Sequence, residues 1–436
     1  MKQRTKFKDT EIGMIPEDWE VKKIKDIGNV ITGKTPSTIV KEYFSLDFPF
    51  IKIPDLGKSV YVDATEEMLS KKGAELMSSL RLPKDSVMFS CLATIGKVGI
   101  TKTDSFTNQQ INSVVPDKRK VTPLWIYYFL KNNISYLESL GGGGSVYTNI
   151  SKSKFENALV VFPKIDEQER IAKILFSLDS KIELNQMMNK TLEVIGQAIF
   201  KHWFVDFEFP NDEGKPYKSS GGEMVYNEEL GKEIPKGWRV SKIGDELKTT
   251  LGGTPSTNKK EYWEHGNIPW INSGAINDFP IINASQHITE AGLNNSATQL
   301  MPKKTVVLPF VVSINKYIRI SITGIETSGN QSVLGIVENK KIPCEFIYYW
   351  IEKMKDNIYS WATGGAQQHI NKNNVDNTPI LIPTNNVMNN FKKLLIPIFD
   401  KILNNSYEIQ TLSQLRDSLL PKLMSGKIRV PLEGKE

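Results

Sequence analysis

The chain has 436 residues, 39% of them hydrophobic and 24% charged, a balance that excludes a disordered chain and a length that exceeds one ordinary core. Its net charge of +6 permits a polyanionic partner without demanding one. The two cysteines, Cys91 and Cys344, and four histidines, His202, His265, His287 and His369, show no CxxC or metal-ligand spacing, so structural or surface roles are expected for all six and no metal.

In chain order, the N-terminal stretch "MKQRTKFKDTEIGMIPEDW" is basic but lacks the apolar core of a secretory signal. The longest apolar run, "VVLPFVVSI" from Val306, falls far short of the roughly 20 residues that cross a bilayer. A cytoplasmic protein is expected. Next comes "IPEDWEVKKIKDIGNVITGKTPST", ending at Thr38. Then "SVMFSCLATIGKVGI" from Ser86 is rich in Val and Ile and broken by Gly, as strands and turns are. "PLWIYYFLKNNISYLESL" from Pro123 places apolar residues at helical spacing. A small-residue loop, "GGGGSVYTNIS" from Gly141, leads to a strand ending at Pro163. The mixture is α and β.

From Asp166 to about Phe204 the chain has no Pro and a single Gly, Gly196. Apolar residues return at Ile171, Leu175, Leu178, Ile182, Leu192, Ile195 and Ile199, the 3 and 4 spacing of one long helix with an apolar seam. The segment "FPNDEGKPYKSSGGEMVYNEELG" that follows is polar and Gly/Ser-rich, and reads as a linker.

After it the chain begins again. "IPKGWRVSKIGDELKTTLGGTPST", ending at Thr257, repeats the opening at a constant offset, pairing Pro16 with Pro235, Trp19 with Trp238 and Asp26 with Asp245. Further on, "TNQQINSVVP" answers "GNQSVLGIVE" and "WIYYFL" answers "FIYYWI". Half the protein is therefore duplicated. The stretches between, "ATIGKVGITKTDSF" and "VSINKYIRISITGIETS", diverge, as two copies of one module serving different targets would, and as neutral drift would too.

A second seam recurs at Phe391, Leu395, Ile398, Ile402, Leu412, Leu415 and Leu419, and the polar interruption Asn185 falls on Asn405. Each helix of about 35 residues is roughly 50 Å long, more than one module needs. The simplest arrangement packs the two as an antiparallel coiled coil between the modules, related by a pseudo-twofold axis. Two helices docked independently on their own domains are the alternative.

The "IPxxWxxxxI…GxTPS" openings, the two "NQ" segments, the helix ending "AIFKHWFVDFEFP" and the terminal "LRDSLLPKLMSGKIRV" together resemble the specificity subunit of type I restriction-modification enzymes, over essentially the whole chain. The resemblance implies an α+β fold with target recognition domains at 1–163 and 229–383. Conserved helical regions follow each, at 164–209 and 384–428, with a linker at 210–228 and a tail at 429–436. It also implies a chain without catalysis of its own that reads a bipartite double-stranded DNA target. Two methyltransferase subunits and motor-nuclease subunits would join it. S-adenosylmethionine, ATP and Mg would be used by that assembly and not by this chain. Consistent with this, no NPPY-like segment, GxxxxGK[ST] loop or nuclease carboxylate cluster is found in the sequence.

DNA contacts are expected from Lys, Arg, Ser and Thr on phosphates and from Asn, Gln, Arg and Lys on base edges. The candidates are Lys34, Thr35, Ser37, Lys97, Asn108, Gln109 and Gln110 in the first module. Those of the second are Thr254, Ser256, Thr257, Lys316, Arg319, Asn330 and Gln331. The repeated TPS and NQ residues equally fit a role in holding turns. The loops "SVYTN" and "AQQHI" are further polar candidates. The rival functions are a stand-alone DNA-modifying enzyme with degenerate motifs and a two-headed coiled-coil scaffold.

Overall fold

The computed structural model describes residues 5–141, 149–313, 319–361 and 367–430. They form two compact units, one of residues 1–184 with 409–436 and one of residues 185–408. Each unit combines one module with one half of each long helix.

In the first unit a five-stranded sheet runs Gly28–Thr32, Ile111–Pro116, Val87–Ser90, Val98–Thr101, Tyr61–Val62 in spatial order. Beside it a three-stranded sheet places Phe44–Ile51 between Phe106–Thr107 and Glu67–Leu69. Strands Glu20–Lys23 and Leu159–Phe162 pair antiparallel, closing the module's beginning onto its end. Helix α1 (Pro123–Asn132) starts where Thr122 accepts the Trp125 amide and Pro123 occupies the first turn, a preorganised helix entry. It buries Trp125 against Trp19, ring centroids 5.7 Å apart and nearly perpendicular.

The second unit repeats the plan. Lys248–Leu251, Val333–Val337, Val306–Pro309 and Ser321–Ile322 make its larger sheet, and Ile268–Ile271 lies between Gln286–Ile288 and Ser328–Gly329 in the smaller one. Arg239–Lys242 pairs with Pro379–Ile382. Trp238 and Phe346 take the core positions of Trp19 and Trp125, and both are buried.

Residues 210–228, expected as a linker, lie on the surface of this unit with none of them buried, and are attached to it at two places. Phe209 stacks on Trp238 at 5.0 Å and on Tyr217 at 4.6 Å, and Met224–Asn227 forms a hairpin with Lys232–Pro235. Composition signalled the turns; the aromatics supply the anchoring that composition does not show.

The long helices are α2 (Ile165–Phe204) and α4 (Asn385–Met424), with α3 (Cys344–Ser360) preceding the latter. In the first unit Arg416 of α4 donates to Asp179 of α2 at 2.7 Å. In the second, Asn185 donates to Glu408 at 2.9 Å, Asn405 to Asn189 at 2.8 Å, and Phe204 meets Phe391 at 4.8 Å. Numbers rise on one helix as they fall on the other, so the two run antiparallel within each unit.

Ile171, Leu175, Ile182, Phe391, Leu395 and Ile402 are buried, while Leu178, Leu192, Ile199, Ile398, Leu412 and Leu419 are half-buried. Two expected seam residues face outward instead: Ile195 is 43% and Leu415 45% exposed. At 3.6 residues per turn the inward face of α2 passes through Gly196 and Phe200, and glycine carries no apolar signal. The position in α4 equivalent to Gly196 is Arg416, turned onto Asp179. Asn185 and Asn405 are both buried in the seam. A buried amide there sacrifices stability and fixes register. Among the described residues no helix is long and apolar enough to cross a membrane.

Candidate nucleic-acid interface

In each module the TPS loop leaves the first strand of the larger sheet and lies against the NQ turn. The approach is closest at glycine. A Cβ on Gly33 would stand 2.2 Å from the Thr107 carbonyl oxygen, and one on the equivalent Gly252 would stand 2.1 Å from that of Asn330. Only a residue without a side chain fits. Backbone bonds then fix the register, with Lys34 N donating to Thr107 O at 3.0 Å and Gly253 N to Gly329 O at 2.8 Å.

A side-chain clasp completes the contact. Thr35 Oγ1 donates to Gln109 Oε1 at 2.7 Å, and Thr254 Oγ1 to Gln331 Oε1 at 2.6 Å. Gln109 and Gln331 are exposed, as are Lys34, Ser37, Ser256 and Thr257. Each clasp leaves the glutamine amide nitrogens at the surface, and such donors suit phosphate or base-edge acceptors.

Asn108 does different work. It is 7% exposed, its Oδ1 accepts from Gln110 N at 3.1 Å and its Nδ2 donates to Gln110 Oε1 at 3.0 Å. The half-buried Asn330 likewise accepts from Ser332 N at 3.0 Å. These asparagines shape the turn that presents the glutamine next to them, and Gln110 is bound within it.

Lys97 follows Gly96, which has φ +91°, and its amide donates to Ser90 Oγ at 2.9 Å. Cys91, next in sequence to Ser90, donates its amide to Gln110 O at 2.8 Å. The Lys97 turn is thus tied to the NQ turn through one strand end. Burial pushes the Cys91 thiol up to about 11, which keeps it protonated at neutral pH.

Arg319 is not at the second clasp. It lines a cleft of ≈ 780 Å³ with Glu193, Lys201, Tyr348, Glu352 and Lys353. Lys316 and most of "SVYTN" lie outside the described residues. In the other polar loop, Gln367–His369 pairs antiparallel with Val311–Ser313. Sequence reasoning missed Thr32 and Asn112, which bond at 2.6 Å beneath the first clasp; the polar Asn112 inside a Val-rich strand was the available signal.

The two repeats match a known family. The model of the type I restriction modification DNA specificity domain matches twice, over residues 16–194 and 235–415. The chain belongs to the specificity subunits of type I restriction-modification enzymes. It is 34% identical over 434 residues to the type I restriction enzyme MjaIX specificity subunit of Methanocaldococcus jannaschii, covering 98% of this chain and 97% of that one. The HindI specificity subunit of Haemophilus influenzae is 37% identical over 183 residues, 42% of this chain and 40% of that one. The crystal structure of the S subunit from M. genitalium shares the fold, with a TM-score of 0.59 at 15% identity, covering 93% of this chain and 96% of the other. As a specificity subunit the chain carries two repeated recognition domains and is a non-catalytic part of its complex.

Proposed function

We propose that each module of this specificity subunit reads one half of a split double-stranded DNA target. The repeated Thr–Gln clasp carries the reading: it recurs in both modules at the same place, between loops whose neighbours differ in sequence. On this reading Lys34, Thr35, Ser37, Lys97 and Gln109 serve the first half-site and Thr254, Ser256, Thr257, Lys316 and Gln331 the second, while Arg319, in the cleft beside α2, stands apart from this group. Shared residues position the DNA; residues that differ between the copies choose the bases. Asn108, Gln110 and Asn330 act by holding the turns.

The same reading makes α2 and α4 the docking surface for two methyltransferase subunits, with motor-nuclease subunits joining the larger assembly in the cytoplasm. S-adenosylmethionine, ATP and Mg²⁺ serve those partners, which flip out the adenine to be methylated. Co-expression with the cognate methyltransferase subunit and mapping of methylated adenines on genomic DNA tests it. A bipartite motif with a fixed gap is expected; methylation without a motif, or with one continuous motif, would contradict it.

A further inference from the structure

The second module contains a side-chain cluster that DNA reading does not use. Glu338 lies in the loop before α3, and Cys344 and Glu345 begin that helix. The ligand atoms of this thiol and these two carboxylates lie within 4.8 Å of one another. Cys344 and Glu345 are each 1% exposed. Glu338 accepts the Cys344 amide at 2.9 Å, which folds the loop back onto the helix start.

Glu345 supplies a second, independent observation. Its Oε1 is buried and has no hydrogen-bond partner. The Lys304 ammonium stands 3.7 Å away, beyond hydrogen-bond distance. Lys304 is also 3.6 Å from the exposed Asp400. A buried carboxylate oxygen met only by an ammonium at 3.7 Å, with no hydrogen bond, is incompletely compensated. The duplication provides an internal comparison: the first module starts the equivalent helix with Pro123 and Leu124, Leu124 packing on its core. The fold itself therefore requires neither the thiol nor the carboxylate.

We propose that Glu338, Cys344 and Glu345 bind a divalent cation of the zinc class. A thiolate among the ligands selects borderline metals over Mg²⁺ and Ca²⁺, and three protein ligands leave a fourth position for water. Glu338 and Glu345 also line a cleft of ≈ 430 Å³ with Lys304 and Lys392, a route for the ion and that water. On binding, Cys344 releases its proton to solvent and its sulfur lone pair forms the metal bond, with no change of oxidation state. Lys304 turns to Asp400 and yields Glu345 to the ion. The site pins the loop before α3 in the second module alone.

Cobalt(II) titration of the full-length, chelator-treated, reduced chain tests this. One Co²⁺ per chain should produce a thiolate-to-cobalt charge-transfer band that Zn²⁺ abolishes by displacement. Cys344→Ala should remove the band and Cys91→Ala should keep it. The isosteric Glu345→Gln should weaken binding more than about tenfold. Absence of the band in the native chain, or a band that survives Cys344→Ala or is unchanged in Glu345→Gln, would overturn the site. Circular dichroism of each variant verifies that it is folded, and thermal melting adds a readout: Zn²⁺ should raise the midpoint of the native chain and not that of Cys344→Ala.

Discussion

Thr35 and Gln109, 74 residues apart in the chain, are joined by a hydroxyl-to-amide hydrogen bond of 2.7 Å. Thr254 and Gln331, 77 residues apart, repeat it at 2.6 Å. The bond spans two loops and contributes little to the core, so its use lies in presenting the glutamine. Gln109→Ala should leave the melting temperature nearly unchanged. One hydrogen bond of about 0.5–1.5 kcal/mol corresponds to roughly a 2- to 12-fold loss of affinity for target DNA. Equilibrium binding by the methyltransferase complex at fixed salt measures it; unaltered affinity would assign the clasp to folding alone.

Gly196 is required by a close approach and not by an unusual backbone. A Cβ there would stand 2.2 Å from the Tyr349 hydroxyl oxygen and 3.2 Å from Leu395 Cδ1. Alanine favours helix by about 1 kcal/mol over glycine, yet overpacking costs about 1–3 kcal/mol. Gly196→Ala should therefore destabilise the second unit, whereas Ile195→Lys, one residue away on the exposed face, should change stability by less than about 0.5 kcal/mol. Urea unfolding of the two variants distinguishes them.

Asp179 is buried and receives hydrogen bonds from Tyr128 at 2.8 Å and from Arg416 at 2.7 Å. Removing the guanidinium leaves the buried carboxylate with the Tyr128 hydroxyl and the Lys131 ammonium 3.9 Å away, so the loss should stay below the roughly 3–5 kcal/mol of a fully unpaired buried charge. Arg416→Ala should unfold the first unit at markedly lower urea. Adding Asp179→Asn should restore part of the loss, since the buried charge that has lost its closest cation is then gone. Tryptophan fluorescence, dominated in this unit by buried Trp19 and Trp125, follows the transition.

Acid sensitivity follows from two ion pairs. The hydrogen bond from Arg429 holds the Asp18 carboxyl below its ordinary 3.8, and that from Arg239 holds Glu246 below 4.5. Because the folded values are lowered, the stabilisation is complete above the unfolded values and disappears as pH falls through the folded ones. Thermal midpoints should show no contribution from these pairs to pH dependence near neutrality and a falling one below about pH 4. Added salt should shrink the effect, since both pairs are partly solvated. In Arg429→Ala the Asp18 share of this acid dependence should be absent.

The duplication made the broad architecture legible, since Trp19 and Trp238 or Asn185 and Asn405 occupy equivalent places in both copies. Periodicity alone misplaced Ile195 and Leu415, because the residues that turn inward beside them are a glycine and an arginine, and neither registers as apolar. The polar composition of 210–228 likewise concealed that Phe209 and Tyr217 are stacked. The Thr–Gln clasp was half visible: both loops were marked by repetition, but only folding brings residue 35 to residue 109. Glu338 and Glu345 gave no ligand signal, because the loop between them, and not a recognised spacing, brings them to Cys344.

If each module reads its own half-site, exchanging a module should exchange a half-site. Replacing residues 16–163 with residues 235–383 yields a chain carrying the second module twice. Methylated adenines are then mapped in cells that express it with the cognate methyltransferase subunit. The first half-site should be lost, and the second should occur twice in the motif, in inverted orientation. Persistence of the first half-site in the methylated motif would contradict separate reading by the two modules.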